Sequence, residues 1–312
     1  MLADHASRLP APGDYVVWEG FGQSVVIARG DLGELTAFHN VCQHRGARIV
    51  PSPGHACELV CPWHGFVYDL TGRVTTIPRR ALFDPALVAG LAAPAVAVAE
   101  RDGFVWINLD AGARPLDGEL GSLGAELAGY GMGAWRLVGA AAWPIAVNWK
   151  AVVDAFSEDY HADETHAATI HGGLRFDETT WTLFPPHSMM VTPIRGMAVT
   201  ADHRRTAYCH YTAFPTTVAS CFPQHAQVMS IVPDDVDHTE LRVWVVAERG
   251  DERFDARMDA GFDHFASIAA EDVAVLEEVG ATRRSIAHRR NILGRAEQRV
   301  ELFHRVLDER LV

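Results

Sequence analysis

The first third of the chain alternates short apolar runs with turn residues. Runs rich in β-branched and aromatic residues, which are typical of strands, occupy residues 15–18, 24–28, 34–38 and 103–108. Glycine and aspartate interrupt these runs at residues 29–31, 71–72 and 102–103. Short strands separated by turns predict a small antiparallel barrel or sandwich over residues 14–110.

The rest of the chain mixes strand and helix patterns. Residues 111–133 are rich in Gly, Ala and Leu and predict a connection with a short helix, so the domain boundary is placed near residue 112. A helix is expected to begin near Ala146, and strands at residues 189–194, 197–200, 207–214, 227–232 and 240–248. Apolar residues with a helical period in residues 252–279 and 295–311 predict helices.

The expected fold class is therefore α+β. An N-terminal all-β domain, residues 1–112, precedes a second domain, residues 113–312, in which helices cover an antiparallel sheet. Of the 312 residues, 48% are hydrophobic and 21% are charged, as is usual for a folded protein with a sizeable core.

Charge and hydropathy exclude two classes of partner. The formal net charge of −13 argues against nucleic-acid binding, which needs a concentrated basic surface. No apolar run reaches the ~18 residues that span a bilayer, and the N-terminus lacks a signal-peptide pattern. We therefore expect no membrane partner and a cytoplasmic location.

Two short stretches carry the side chains of a metal centre. Cys42 and His44 form a Cys-x-His pair, and after a gap of sixteen residues Cys61 and His64 form a Cys-x-x-His pair. Each stretch offers one sulfur and one nitrogen, whereas a zinc finger usually groups its cysteines in one loop. The pattern therefore favours a 2Fe–2S cluster with two histidine ligands, and a glycine in each stretch allows close backbone approach.

Other interpretations of the cysteines remain open at this point. A zinc site, or two unrelated Cys–His loops, is the alternative for the first four residues. The remaining cysteines, Cys57, Cys209 and Cys221, have no such neighbours and are expected to be buried and inert. An odd number of cysteines does not indicate a disulfide framework.

A second pair of histidines, His161 and His166, lies in the second domain. Residues five apart on an ideal helix point ~140° away from each other, so a regular helix cannot aim both at one metal. The chain is therefore expected to bend or leave the helix between the two histidines, at residues 162–165. Taken alone, such a pair is more often found on a surface or in a core than at a metal.

The two patterns together resemble the catalytic (alpha) subunit of Rieske-type non-haem iron ring-hydroxylating oxygenases. Residues 40–47, 61–66 and 69–73 are similar to the Rieske signature, and residues 148–150 and 158–166 to the family's iron-binding segment. The resemblance covers residues 14–310. It implies a Rieske 2Fe–2S cluster held by Cys42, His44, Cys61 and His64.

The same resemblance implies a mononuclear Fe(II) centre. Its ligands would be His161, His166 and Asp272, with Glu271 and Glu277 as alternatives to the aspartate and a solvated acidic face as the competing interpretation. Two histidines and one carboxylate leave coordination positions open for dioxygen.

Two acids are expected to be catalytic, Glu158 and Asp154. Glu158 precedes His161 by three residues and, on a helix, would hydrogen-bond to that ligand. By resemblance it also reaches across a subunit interface toward His64 or His44, and a simple salt bridge is the alternative.

The resemblance implies hydroxylation, dihydroxylation or dealkylation of a small organic substrate with dioxygen, with an aromatic compound as the first expectation. Demethylation of a quaternary amine is an alternative within the family, and a Rieske electron carrier is an alternative outside it. Electrons would come from NAD(P)H through a separate ferredoxin, flavin reductase or both, and the assembly would be a homotrimer.

Two further sets of residues have weaker signals. The residues expected to line a substrate pocket, with core packing as the alternative, are Phe156, Leu174, Phe176, Met190, Tyr208, Phe214 and Met229. The residues expected to form a basic patch for an acidic electron donor, with ordinary solvation as the alternative, are Arg45, Arg48, Arg79 and Arg80.

Overall fold

The computed structural model describes residues 1–170, 172–250 and 252–311. The chain divides into two compact units, Leu2–Leu116 and Asp117–Val312, with Met1 grouped in the second. Each unit has its own sheets and its own apolar core. Among the described residues, no helix has both the length and the apolar character that a bilayer span requires.

The first unit is an all-β structure, as the sequence predicts. Its strands are β1 (Leu2–His5), β2 (Asp14–Gly20), β3 (Gln23–Arg29), β4 (Leu35–His39), β5 (Gly54–His55), β6 (Glu58–Val60), β7 (Val67–Asp69), β8 (Val74–Thr76), β9 (Ala97–Arg101) and β10 (Phe104–Asn108). They form three antiparallel sheets with the orders β1-β10-β9, β4-β3-β2-β5 and β6-β7-β8.

The core of the first unit contains two of the predicted cluster ligands. Apolar side chains such as Phe38 and Leu59 pack with Tyr68 in one buried group, and Cys42 and Cys61 belong to the same group. Strands β6 and β7 flank the second Cys–His stretch, so the ligands rest on an ordered sheet.

The second unit contains one large sheet and most of the helices. Its helices are α1 (Leu116–Ala128), α2 (Trp149–Ala155), α3 (Ala162–Thr165), α4 (Glu252–Ala260), α5 (Phe262–Thr282) and α6 (Gln298–Leu311). Its strands are β11 (Arg136–Ile145), β12 (Thr180–Phe184), β13 (His187–Pro193), β14 (Ala207–Ala213), β15 (Thr217–Cys221), β16 (His225–Pro233) and β17 (Thr239–Ala247). The seven strands form an antiparallel sheet in the order β11-β17-β16-β15-β14-β13-β12.

Most of the predicted elements are present, with three kinds of difference. Residues 197–200 form no strand, because they follow a turn at Gly196 and lie exposed. Strand β1 and, in the second unit, strands β11, β12 and β15 were not predicted; β11 is rich in Ala and Gly, which have low strand propensity. The helix expected near Ala146 begins at Trp149, where the Asn148 side chain accepts a hydrogen bond from the Lys150 amide.

Helices α2 and α5 pack together on one face of this sheet. The buried residues of α5 are Ala269, Asp272 and Leu276, which lie on one helix face because they are three and four positions apart. A Cβ atom on Gly280 would overlap the carbonyl oxygen of Ala146, so α5 lies directly against the segment that leads into α2. Asp272 places a carboxylate on this otherwise apolar helix face, and a buried carboxylate needs polar partners.

Candidate metal centres

Three potential metal ligands converge between α3 and α5. The Nε2 atoms of His161 and His166 lie 3.5 and 3.1 Å from Oδ1 of Asp272. One ligand atom from each of the three residues lies within 4.8 Å of the others. His166 and Asp272 are buried and His161 is half-buried. Two imidazoles and one carboxylate are the donor set of non-haem Fe(II) sites that keep coordination positions open.

The backbone around the histidines differs from the prediction. Residues 162–165 form α3, a single helical turn, and His161 and His166 stand at its two ends. The expected departure from helical geometry therefore does not fall at residues 162–165. His166 has φ −103° and ψ 27°, outside the helical range, so the ~140° divergence of a regular helix does not apply to this pair.

Each histidine has a carboxylate on its other ring nitrogen. Oε1 of Glu158 lies 2.5 Å from Nδ1 of His161, and Oε2 of Glu271 lies 2.8 Å from Nδ1 of His166. The hydroxyl of Thr169 donates to Glu271 over 2.7 Å. Such partners fix the orientation of both rings and leave both Nε2 atoms available to a metal.

Glu158 lies in the loop between α2 and α3 and not on a helix. The contact with His161 nevertheless forms, and Glu158 also accepts a hydrogen bond from the backbone N–H of His161 over 3.1 Å. The loop therefore supplies the geometry that the sequence analysis attributed to a helical turn.

The electrostatics of this site favour a cation at its centre. Burial disfavours the charged form of His161, but hydrogen bonds to Asp272 and Glu158 outweigh this effect and raise its pKa to about 10. Burial also disfavours the charged form of Asp272, yet hydrogen bonds from the two histidines lower its pKa. The carboxylates thus hold positive charge on the imidazoles, and a divalent metal fits the same position because metal binding displaces those protons.

The two Cys–His stretches of the first unit form loops with the same backbone pattern. In each loop, the N–H of Gly46 or Gly65 donates to the carbonyl of Cys42 or Cys61, over 2.9 and 3.0 Å respectively. The cysteine N–H in turn donates to the carbonyl five residues later. Gly46 and Gly65 have φ of +79° and +74°, the left-handed region that glycine adopts without strain.

The side chains of the two loops are arranged asymmetrically. The thiols of Cys42 and Cys61 are buried and interact with each other, and burial raises the pKa of the Cys61 thiol. His44 is half-buried and His64 exposed, and their Nδ1 atoms lie 3.1 Å apart. A pair of buried thiols and a pair of outer imidazoles match a 2Fe–2S cluster that is ligated by sulfur on one iron and by nitrogen on the other.

Tyr68 is part of the cluster site, although sequence reasoning did not select it. Its hydroxyl donates to Sγ of Cys42 over 3.3 Å and accepts from the backbone N–H of Gln43 over 2.9 Å. Phe66 stacks on the His44 ring with centroids 4.9 Å apart. The nearest sequence signal was the position of both aromatic residues directly after the second loop.

A cavity of about 240 Å³ lies beside His161, His166 and Asp272. Six of the seven predicted pocket residues line it, namely Phe156, Leu174, Phe176, Met190, Tyr208 and Met229. Phe214 does not line it and packs against Phe303, with ring centroids 5.8 Å apart. Lining residues that the sequence analysis missed include His210, Ser220, Phe222, His225, Gln227 and Phe265. Four of them, His210, Ser220, His225 and Gln227, lie on β14, β15 and β16, so identifying them requires the strand register. Phe265 lies on α5, and Phe222 directly follows β15.

Two further predicted residues, Asp154 and Glu277, are not among the three converging ligands. Oδ1 of Asp154 lies 2.8 Å from Nε2 of His304, and Asp154 is absent from the lining of the cavity. Glu277 is exposed on α5.

The three cysteines outside the cluster motifs differ in burial. Cys57 is exposed, so its predicted burial was wrong, whereas Cys209 and Cys221 are buried as predicted.

The four arginines of the predicted basic patch have different surroundings. The guanidinium of Arg45 lies 4.4 Å from the centre of the Trp63 ring, and Arg48 forms an ion pair of 2.7 Å with Glu19. Arg80 donates to the carbonyl of Val88 over 3.3 Å. Arg45 is thus in contact with Trp63 of the second cluster loop, and the basic patch as a whole stays a prediction.

Comparison with family models gives two matches. Residues 1–87 match the Rieske [2Fe–2S] domain, and residues 132–312 match the ring hydroxylating alpha subunit (catalytic domain). The second match covers more than half of the chain.

Two curated relatives illustrate the level of similarity. The chain is 32% identical over 173 residues to the glycine betaine monooxygenase oxygenase subunit of Chromohalobacter salexigens, a match that covers 55% of this chain and 39% of the relative. It is 30% identical over 231 residues to the carnitine monooxygenase oxygenase subunit of Escherichia coli K12, covering 62% of this chain and 61% of the relative. The matches thus span between two-fifths and about three-fifths of these relatives.

Solved structures share the fold at lower identity. A quaternary ammonium Rieske monooxygenase in complex with L-carnitine has a TM-score of 0.84 at 21% identity, covering 99% of this chain and 88% of that one. Naphthalene 1,2-dioxygenase from Rhodococcus sp. bound to indole has a TM-score of 0.76 at 19% identity, covering 99% and 88%.

Proposed function

Since this chain belongs to the family of ring-hydroxylating oxygenase alpha subunits, we propose that it is the oxygenase component of a Rieske non-haem iron system. It uses dioxygen to hydroxylate, dihydroxylate or dealkylate a small organic substrate. The observation that carries this proposal is the convergence of His161, His166 and Asp272 at the wall of a largely apolar cavity.

In the second unit, one set of residues would bind the iron and another would bind the substrate. Fe(II) bound by the two histidines and Asp272 would supply open coordination positions at which dioxygen is activated. Glu158 and Glu271 keep the imidazoles oriented through their Nδ1 atoms. The apolar walls of the cavity exclude water and hold the substrate beside the metal ligands.

The first unit serves electron delivery. A Rieske cluster held by the two Cys–His loops would accept one electron at a time. The exposed edge formed by His44 and His64 is the side from which electrons can enter or leave. A ferredoxin, a flavin reductase or both would bring them from NAD(P)H, and Arg45 over Trp63 is a cation suited to an acidic donor.

Glu158 is the residue we propose to connect the two centres. It holds Nδ1 of His161 and lines the cavity. By family resemblance it reaches His64 or His44 of a neighbouring subunit, so the active protein would be a homotrimer. We place this assembly in the cytoplasm. Asp154 was expected to share this role, and its contact with His304 supports a positioning role for α6 instead.

Two substrate classes fit the cavity. Its aromatic residues include Phe156, Phe176, Tyr208, Phe222 and Phe265. Aromatic faces can pack against an aromatic substrate or hold a quaternary ammonium group through cation–π attraction. Similarity to the glycine betaine and carnitine monooxygenases favours the quaternary amine, and similarity to chlorobenzene dioxygenase supports the aromatic compound.

Dioxygen uptake tests the proposal directly. The purified protein, supplied with NADH and a surrogate reductase, is offered glycine betaine, L-carnitine and toluene in parallel. We expect substrate-dependent uptake with a matching oxidised product for one class, and none in the Asp272→Ala variant. Uptake that neither depends on substrate nor disappears in that variant would contradict an oxygenase.

Metal analysis separates the competing interpretations. A Rieske electron carrier would contain cluster iron only, and a zinc module would be colourless. The triad of His161, His166 and Asp272 favours the oxygenase, because a carrier has no use for a second metal site. We expect a visible 2Fe–2S spectrum together with one additional iron per chain.

A further inference from the structure

His210 lies on β14 in the wall of the cavity, and only 3% of its surface is exposed. Its Nδ1 lies 3.1 Å from Nη2 of Arg299. Its Nε2 is buried and has no hydrogen-bond partner among the described residues. A buried polar atom without a partner is costly, so it points to a ligand that completes the site.

Arg299 determines which nitrogen of His210 carries the proton. A guanidinium has donors only, so Nδ1 of His210 accepts the hydrogen bond. Burial and the charge of Arg299 lower the pKa of His210 well below its ordinary value, which keeps the ring neutral. The single ring proton is therefore on Nε2, at the edge of the ring that faces away from Arg299.

The arginine is itself held in place. Its Nε donates to the hydroxyl of Ser188 over 3.0 Å, and its Nη2 donates to the hydroxyl of Thr212 over 2.7 Å. Arg299 is 1% exposed and does not line the cavity. Burial lowers its pKa to about 10, which leaves it protonated at neutral pH. The His210 ring thus cannot turn its Nδ1 toward the cavity without losing this contact.

The residues around His210 make its unpaired Nε2–H selective for ligands that carry an oxygen atom. The nearby hydroxyl of Tyr208 already donates to Ser220 over 3.2 Å, and much of the remaining wall is apolar. A ligand oxygen that approaches Nε2 gains a hydrogen bond, whereas a purely hydrocarbon ligand leaves the N–H unpaired. Sites built in this way discriminate strongly against analogues that lack the hydrogen-bonding group.

We propose that His210 determines substrate specificity by donating a hydrogen bond from Nε2 to an oxygen atom of the substrate. The substrate class is a small organic molecule with a carbonyl, hydroxyl or carboxylate oxygen placed away from the carbon that reacts. This inference rests on the proposed function, since it treats the cavity beside the iron ligands as the substrate site.

Isosteric ligand pairs test this role by isothermal titration calorimetry. The aromatic pair is acetophenone and α-methylstyrene, in which a methylene group replaces the carbonyl oxygen. The quaternary-amine pair is choline and propyltrimethylammonium, in which a methyl group replaces the hydroxyl. In the pair that fits the cavity, the oxygen-bearing member should bind about tenfold more tightly. Equal affinities within both pairs in the wild-type protein would overturn the proposal.

Variants of His210 separate hydrogen bonding from packing. His210→Phe should abolish the preference within the pair. His210→Gln should retain part of it, because an amide can accept from Arg299 and donate into the cavity. Tyr211→Phe, at the neighbouring position of β14 and outside the lining of the cavity, should leave the preference intact. An unchanged preference in His210→Phe would overturn the proposal.

A measurement on the wild-type protein covers the case in which His210→Phe does not fold. In protein labelled with ¹⁵N-histidine, NMR should show His210 protonated on Nε2, and the oxygen-bearing ligand should shift that resonance. Protonation on Nδ1, or the same shift with the oxygen-free ligand, would overturn the assignment. These experiments need no reductase or dioxygen, so an inactive protein that keeps the preference would contradict the oxygenase and not His210.

Discussion

Glu271 and Asp272 are neighbours on α5, yet their carboxylates contact opposite nitrogens of one imidazole. Oε2 of Glu271 lies 2.8 Å from Nδ1 of His166, and Oδ1 of Asp272 lies 3.1 Å from Nε2 of the same ring. Successive residues on a helix point ~100° apart, so two adjacent acids can hold one ring from two sides. One of them is thereby placed to bind a metal, and the other to orient the ligand.

The first prediction separates these two acids. Asp272→Ala should remove the mononuclear iron and leave the 2Fe–2S spectrum unchanged, because it deletes a ligand. Glu271→Ala should keep the iron with affinity reduced by about 10- to 100-fold, because it deletes the partner that orients the His166 ring. Iron content and visible spectra report both effects. Glu277→Ala, an exposed position on the same helix, is the control. If Asp272→Ala keeps full iron content and activity, Asp272 is not an iron ligand, and Glu271 is the next candidate.

The second prediction concerns the cluster. Cys42→Ser should abolish the visible 2Fe–2S spectrum while mononuclear iron remains, since the two sets of ligands lie in different units. Cys57→Ser, which changes an exposed thiol, should have no effect on either metal. Circular dichroism checks that the loops remain folded in both variants. A cluster retained in Cys42→Ser would mean that this cysteine is not a ligand.

The third prediction uses the hydrogen bond from Tyr68 to Cys42. An O–H group directed at a cluster sulfur stabilises the reduced, more negative form, so Tyr68→Phe should lower the reduction potential. A net contribution of about 0.5–1.5 kcal/mol corresponds to roughly 20–65 mV for one electron. Tyr15→Phe, which packs against the same core, should leave the potential unchanged. A potential equal to that of the wild type in Tyr68→Phe would exclude this role.

The fourth prediction tests Glu158 as the connection between the centres. Glu158→Gln keeps a hydrogen-bonding group of the same size near His161 but removes the charge, so both metals and the oligomer should persist. Turnover should fall by about 10- to 100-fold, with slow reoxidation of the cluster when substrate and dioxygen are supplied. Stopped-flow absorbance measures this step directly.

The control for Glu158 is Glu164→Gln, an exposed acid on α3. It should reoxidise its cluster at the wild-type rate. If Glu158→Gln does so as well, Glu158 does not link the centres, and Asp159, which also lines the cavity, is the next residue to test.

The residues that converge at the candidate centres could be selected from sequence, by short Cys–His motifs in the first unit and by family resemblance in the second. Cys42, His44, Cys61 and His64 define one centre by residue type and spacing, and the resemblance supplied His161, His166 and Asp272. The contacts of Tyr68 and Arg299 could not be predicted, because they depend on how strands and helices distant in the sequence pack together. The local residue pattern predicted strands β13, β14, β16 and β17, whereas β11 owes its place to pairing with β17.

The contact between His166 and Glu271 joins residues that are 105 positions apart. An ion held by His161, His166 and Asp272 would therefore tie together two segments that are distant in sequence, and it would stabilise the folded state because it binds that state and not the unfolded chain. Loss of metal would then loosen α5 from its place beside α2 as well as stop the chemistry. In a cell short of iron, such a protein would be cleared by proteolysis sooner than its iron-loaded form, so its abundance would follow the iron supply.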